Sequence, residues 1–412
     1  NRDMGVWAGR EEVADAIERA CRELSAGGLL DSIAVDALQG GAGTSTNMAV
    51  NEVLANRALV LCGRAPGDYA LIDPLRDLNR HQSTNDTYPT ALKIAAMRGL
   101  DALEEAVVGL QEEFQRQEQA LADVVKPGRT QMQEAVLTTL GREMGAYAEA
   151  LSRDRWRLYK CKERLRVVNL GGTAIGTGLG APRTYIFQVT DRLRELTGYH
   201  LARAENLIEA TQNADVFVEV SGIVKAHASS LWKIATDLRV LASGPAAGVG
   251  ELRLPPRQAG SSLMPGKVNP VIPEACCQAA MRFFGHDQTI SMACSQGHLE
   301  LNPFLPLIAD ALLDGLDVLA RADRVLRTHC VAGLEADRAR CRAHLRGTAA
   351  TATALIPRLG HAGARTLARR ATETGVPVAE LAVEEAGLTA GEVEQLLSPE
   401  AVCRLGSPDE DP

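Results

Sequence analysis

The sequence predicts an all-α protein, a bundle of long helices flanked by smaller N- and C-terminal domains. Apolar residues recur at helical spacing, with few breakers, over 101–124, 134–168, 221–242, 272–295 and 302–330. Helices of that length outrun an ordinary globular helix, so each must bury its apolar face against the others along most of its course. Glycine and proline gather instead at 40–43, 171–180, 243–250 and 255–270, which marks loops between helices. From about Ala339 the spacing shortens, punctuated by Gly360, Gly363, Gly375 and Gly387, as expected of a small C-terminal helical domain.

In chain order this gives an N-terminal domain over 1–81, a central long-helix domain over 82–338 and a C-terminal helical domain over 339–412. Within the last, Leu388-Thr389 followed by Glu392 reads as a capped helix start, and the acidic end 407–412 reads as frayed. The G-T-G-L-G-A run at 176–181 fits a loose dinucleotide-binding pattern. Pro182 follows it at once, however, and no strand–helix alternation surrounds it, so nucleotide binding is not expected.

A chain of 412 residues has no difficulty in burying a large core. With a net charge of −8, no block of Lys or Arg and only 4% aromatic residues, it has no footprint for nucleic acid or anionic lipid. No apolar run approaches the ~20 residues that span a bilayer, and the start lacks a signal peptide, so a soluble cytoplasmic protein is expected. Nine cysteines without C-x-x-C read as buried reduced thiols. The eight histidines form neither H-E-x-x-H nor a cluster with other ligands, so no protein-bound catalytic zinc is expected. His81 reads as a solvated side chain outside the site.

The segment 260–270, G-S-S-L-M-P-G-K-V-N-P, is the strongest functional candidate. Gly260 and Gly266 allow backbone angles barred to other residues, while Pro265 and Pro270 fix theirs, so the segment is a shaped loop. Lys267 supplies a point charge and Asn269 a donor. The successive N–H groups of Ser261, Ser262 and Leu263 are placed to form a concave nest, and the set as a whole suits a carboxylate.

This loop resembles the G-S-S-x-M-P-x-K-x-N signature of the aspartase/fumarase superfamily, whose members eliminate a group from a succinyl skeleton to leave fumarate. Three further blocks are similar to that family's: G-G-A-G-T-S-T-N-M at 40–48, Q-S-T-N-D-T-Y-P-T at 82–90 and G-R-T-Q-M-Q-E-A at 128–135. The blocks lie in family order, and the resemblance covers the chain from about Asn1 to about Pro399. It implies a small dicarboxylate substrate and no required cofactor, though a divalent cation acting as activator would leave no motif. It also implies a homotetramer whose long helices form a common core and whose active sites each draw on three subunits. Family members place a further stretch ahead of the segment that begins at Asn1, and that stretch is expected to be missing here.

The chemistry is abstraction of a proton next to a carboxylate, which leaves an aci-carboxylate with two negative charges on neighbouring atoms. The resemblance puts Thr44, Ser83, Thr84 and Ser262 around that group, where hydroxyl donors aimed at developing charge each count for ~10²–10³ in rate. It puts Lys267 and Asn269 on the other carboxylate and makes Ser261 the general base. A serine is a poor base unless backbone N–H groups and a nearby cation stabilise its anion, and the competing role for Ser261 is that it merely caps the loop.

The same resemblance forms the leaving-group pocket from Asn85, Thr130 and Gln131. Fumarases carry histidine where Gln131 stands. A glutamine oxygen accepts a hydrogen bond from ammonium but cannot shuttle a proton as imidazole does, so the pocket favours an amine over a hydroxyl. Thr84 in Q-S-T-N-D, E-N-L-I-E-A-T at 205–211 and N-P-V-I-P-E at 269–274 lean the same way. The expected reaction is therefore release of ammonia from L-aspartate. The alternatives are dehydration of L-malate or another succinyl elimination, and an inactive helical scaffold.

Overall fold

The computed structural model describes residues 1–406, so the acidic end at 407–412 lies outside the described residues. Helices α1 (Glu11–Ser25) and α2 (Thr44–Leu61) precede the long α3 (Thr84–Ala120). A hairpin of β1 (Val125–Thr130) and β2 (Gln133–Thr139) leads into α4 (Leu140–Leu165). Then follow β3 (Val167–Val168), α5 (Arg183–Thr197), β4 (Ala202–Arg203), α6 (Leu207–Gln212) and α7 (Asp215–Leu241). After β5 (Leu252–Arg253) come α8 (Val271–Cys294), α9 (Leu305–His329) and β6 (Glu335–Ala336). The chain ends in α10 (Arg338–Gly347), α11 (Ile356–Thr374), α12 (Val378–Glu384), α13 (Ala390–Leu396) and α14 (Pro399–Cys403).

The chain divides into two compact units. The first comprises 1–104, 157–226 and 281–318, and the second 105–156, 227–280 and the chain from Leu319 on. Each of the long helices α3, α4, α7, α8 and α9 therefore gives one part of its length to each unit.

In the first unit α1 packs on α2 through Val13, Ile17 and Ala20 against Leu54, Ala58 and Leu59, at the spacing of three and four that one helix face provides. Polar ties join the long helices around them. Lys162 on α4 donates to Asp101 and Glu104 on α3 at 2.6 and 2.8 Å, and Asp287 on α8 accepts from Ser221 and Lys225 on α7, each at 2.6 Å.

In the second unit His227 on α7 is fully buried between Asp154 on α4 (3.3 Å) and Asp323 on α9 (2.9 Å). Burial opposes its charge, but the two aspartates outweigh that and raise it to about 10. The C-terminal helices enclose their own small core of Leu355, Leu367, Val378, Leu381 and Val393. Thr389 and Glu392 form the expected capping box at the start of α13.

The helical framework agrees with the sequence, with two differences. The first helix of the bundle begins at Thr84 rather than near 101. Residues 134–139 are not the start of the next helix but strand β2, paired antiparallel with β1. The reason is visible in Val136-Leu137-Thr138-Thr139: three of the four are β-branched, and burial alternates, with Leu137 and Thr139 buried, Val136 exposed and Thr138 half-buried, a period of two. The other strands are two-residue pairs, β3 with β4 and β5 with β6. All nine cysteines are free, as expected, but Cys21, Cys62, Cys294 and Cys403 are only half-buried. His81 is not solvated: it is half-buried, 5.4 Å from the ring of Tyr185 and 2.7 Å from the Asn1 side chain.

Candidate functional site

In the first unit two helix starts are brought together. Gly43 precedes α2 with a φ of 93°, and a Cβ there would overlap the ring of Tyr88 on α3, so only glycine fits both the angle and the space. Thr44 opens α2 and its Oγ1 donates to the Gly41 carbonyl at 2.7 Å. Asn47, one turn on, donates to Thr84 Oγ1 at 3.0 Å and to Asn79 Oδ1 at 3.1 Å, tying α2 to the start of α3. Helix N-termini carry partial positive charge and unpaired N–H groups, a setting that favours a carboxylate.

Ser83 and Asp86 both cap the start of α3. Ser83 Oγ accepts from the Asn85 N–H at 3.2 Å, and the Ser83 N–H donates to Asp86 Oδ1 at 3.0 Å. Asn85 Nδ2 donates to the Ala174 carbonyl at 2.7 Å, which commits one donor and leaves the amide oxygen available. The G-T-G-L-G-A run thus belongs to a loop packed beside these residues, with Gly176 pressed on the backbone of Leu207 and Ile208.

In the second unit the 260–270 loop closes on itself. Asn269 Nδ2 donates to the Gly260 carbonyl at 2.7 Å, and a Cβ on Gly260 would overlap the Lys267 carbonyl. Ser261 Oγ accepts from the N–H groups of Leu263 (3.1 Å) and Met264 (3.0 Å). This corrects the expected nest, because the Leu263 N–H points at Ser261 and is not open to a ligand. It also gives the hydroxyl two donors of the kind that favour an alkoxide. Ser262 and Lys267 are exposed, with Leu263 at 84% exposure.

Thr130 and Gln131 sit at the tip of the β1–β2 hairpin. Gln131 and Met132 have φ of 52° and 62° and make the two-residue turn between Thr130 and Gln133. Both site residues are exposed. The strand behind them is anchored. Arg129 grips the buried Glu251 with two bonds at 2.9 and 2.7 Å, while Lys126, 1% exposed, donates to Glu143 at 2.6 Å and reaches Glu251 at 3.0 Å. Burial pushes the Glu251 carboxyl up, but Arg129, Lys126 and His344 together hold it below the usual carboxylate range. Among the described residues no hydrogen bond or ion pair joins this tip to the 260–270 loop.

Sequence reasoning missed Asp86, Arg129 and Glu251. Asp86 and Arg129 stand inside quoted blocks, where a charged residue beside candidate ligand-binding positions was the available signal. Glu251 had no local signal, since its partners are distant in sequence. Among the described residues no group of three or more His, Cys, Asp or Glu is arranged to hold a metal ion, and no helix is long and apolar enough to cross a membrane.

Residues 2–285 match the family model described as "Lyase", and 352–404 match "Fumarase C C-terminus". The chain is 45% identical to the aspartate ammonia-lyase of Pseudomonas canavaninivorans, over 97% of this chain and 84% of that protein. It is 40% identical to that of Bacillus subtilis, over 98% and 85%. Among solved structures it is similar to a fumarate lyase:delta crystallin from Brucella melitensis bound to cobalt, with a TM-score of 0.90, 45% identity and coverage of 94% and 84%. It is also similar to the class II fumarase of Schistosoma mansoni, with a TM-score of 0.85, 30% identity and coverage of 98% and 87%.

Proposed function

The chain belongs to the aspartase/fumarase superfamily of lyases, and on that premise we propose that it is a carbon–nitrogen lyase that converts L-aspartate to fumarate and ammonia, reversibly. The observation that carries the choice of substrate is identity over nearly the whole chain: 40% and 45% to aspartate ammonia-lyases, against 30% to a fumarase. Gln131 supports the same choice chemically, since its oxygen accepts from an ammonium and its amide relays no proton to a departing hydroxyl.

In this reading Ser261 takes the proton from the carbon next to one carboxylate, and its two N–H donors stabilise the anion that acts as base. The electron pair left on carbon spreads into that carboxylate, where Thr44, Ser83, Thr84 and Ser262 donate to the developing charge. Lys267 and Asn269 hold the far carboxylate. The pair then returns to form the carbon–carbon double bond as the carbon–nitrogen bond breaks, and ammonia departs through Asn85, Thr130 and Gln131. Binding that tightens only as charge develops raises kcat rather than merely lowering KM.

The residues of this site divide between the two units, with Thr44 and 83–85 in one and 130–131 and 261–269 in the other. In the second unit, among the described residues, no hydrogen bond or ion pair joins the hairpin tip to the loop. That supports assembly of each site from three chains of a homotetramer, which light scattering tests; a fully active monomer on dilution contradicts it. The three-domain division at 81/82 and 338/339, a cytoplasmic location and activation by a divalent cation complete the proposal. Rate measurements after chelation and after added magnesium test the last of these.

Following fumarate by its ultraviolet absorbance with L-aspartate and with L-malate tests the reading. Formation from L-aspartate with equimolar ammonia supports it; formation from L-malate alone assigns the chain to the water-releasing branch.

A further inference from the structure

Asp86 follows the three candidate ligand-binding residues of the S-T-N-D run, yet the mechanism gives it no role. Its carboxylate is fully buried, and its hydrogen-bond partners are all backbone N–H groups. Ser83 meets one oxygen at 3.0 Å, and Gly171 (3.1 Å) and Thr173 (2.9 Å) meet the other. A buried carboxylate with no cation beside it is a poor choice for stability. It is well suited to one task, because an ionised carboxylate is acceptor-only and offers both oxygens at once.

The surroundings make the task plain. Asn169, itself 1% exposed, donates to the Asn85 carbonyl and to Thr211 Oγ1, each at 2.9 Å. Asn85 reaches forward to the Ala174 carbonyl at 2.7 Å. Thr173 is held at a φ of 54°, its N–H on Asp86 and its Oγ1 on the Leu179 carbonyl at 3.0 Å. The start of α3 and the 169–179 loop, some 85 residues apart in sequence, are therefore pinned together at Asp86.

We propose that Asp86 is a positioning residue, whose carboxylate locks Ser83, Thr84 and Asn85 against the 169–174 loop so that their donors meet the substrate in one geometry. This rests on reading that turn as part of the dicarboxylate site. Burial pushes the carboxyl up against the opposing pull of its N–H donors, to about 6 in all, so the ionised form that accepts from all of them predominates near neutrality.

Asp86→Asn keeps the shape but offers one acceptor oxygen, and its amide nitrogen must face an N–H. Hydrogen–deuterium exchange of the 169–175 segment should quicken. In calorimetric titration with succinate, Kd should rise about fivefold or more while one site per chain still titrates, and kcat/KM for L-aspartate should fall about tenfold or more. A role in folding alone would lower the number of titrating sites and leave Kd unchanged. Kd and kcat/KM within about twofold of wild type, or exchange that does not quicken, overturns the proposal.

Asn169→Ala, which frees the Asn85 carbonyl and Thr211 Oγ1 but leaves the Asp86 carboxylate in place, should move Kd in the same direction by about threefold, and an unchanged Kd there is equally fatal. A wild-type chain that binds succinate but leaves L-aspartate untouched overturns the functional reading, and the succinate affinities of the variants then decide the role of Asp86 by themselves.

Discussion

The turn at 83–86 and the loop at 260–270 carry similar sets of hydroxyls and amides, but the first is gripped from several sides and the second is held mainly by itself. Thr84 and Asp86 are buried, and bonds reach the turn from Asn47, Asn169, Gly171 and Thr173. The loop's internal ties are Ser261 to its own next turn, the Lys267 N–H to the Met264 carbonyl and Asn269 to Gly260, with Leu263, Met264 and Val268 exposed. The difference supports a division of labour in the proposed site: the 83–86 turn is set in advance, and the 260–270 loop is left to gain partners from substrate or from a neighbouring copy. Preorganised donors lower the barrier without rearranging at the moment of reaction, while a segment with few buried contacts is free to admit and release ligand.

The sharpest way to break this comparison is Ser261→Ala, which should lower kcat by ~10²–10⁴, the range for loss of a general acid or base. Because the loop is exposed, unfolding by denaturant should be almost unchanged. Activity near wild type would instead leave Ser261 as a loop cap.

Gly43→Ala strikes the rigid side. The angle is unfavourable and the new Cβ meets the Tyr88 ring, so a loss of about 3 kcal/mol is expected in denaturant titration, from overpacking together with strain.

A third test uses pH. The Asp86 carboxyl rises from 3.8 to about 6 on folding, so the folded state favours its neutral form. Its contribution to stability is fully present below the unfolded value and is lost as pH rises through about 6. The stability of wild type relative to Asp86→Asn should therefore fall by about 2–3 kcal/mol between pH 4 and pH 7, which paired denaturant titrations at the two pH values measure. A difference that does not change with pH would show that Asp86 titrates as it does in an unfolded chain.

The smallest effect sharpens the comparison from the exposed side. Leu263→Ala, at 84% exposure, should change unfolding free energy by less than about 0.5 kcal/mol. A larger loss in the isolated chain would mean that the loop is packed after all.

The same contrast explains what the sequence disclosed. The 260–270 loop was legible because its shape depends on its own glycines, prolines and polar side chains. The long helices were legible from their spacing, except where local signals competed. Thr84 to Gly99 holds Pro89 and several threonines, which hid the first turns of α3, and the helical spacing of α4 was carried back over a strand whose period of two runs for only a few residues. The role of Asp86 was not legible, because it is made by partners about 85 residues away. Arg129 and Glu251, separated by 122 positions, were hidden for the same reason.

Residue-resolved hydrogen–deuterium exchange with and without L-aspartate tests this division most directly. The account predicts that the amides of Gly171 and Thr173 are already protected without ligand and that substrate adds protection chiefly across 262–268. Protection gained at Gly171 and Thr173, with none in the loop, would contradict it.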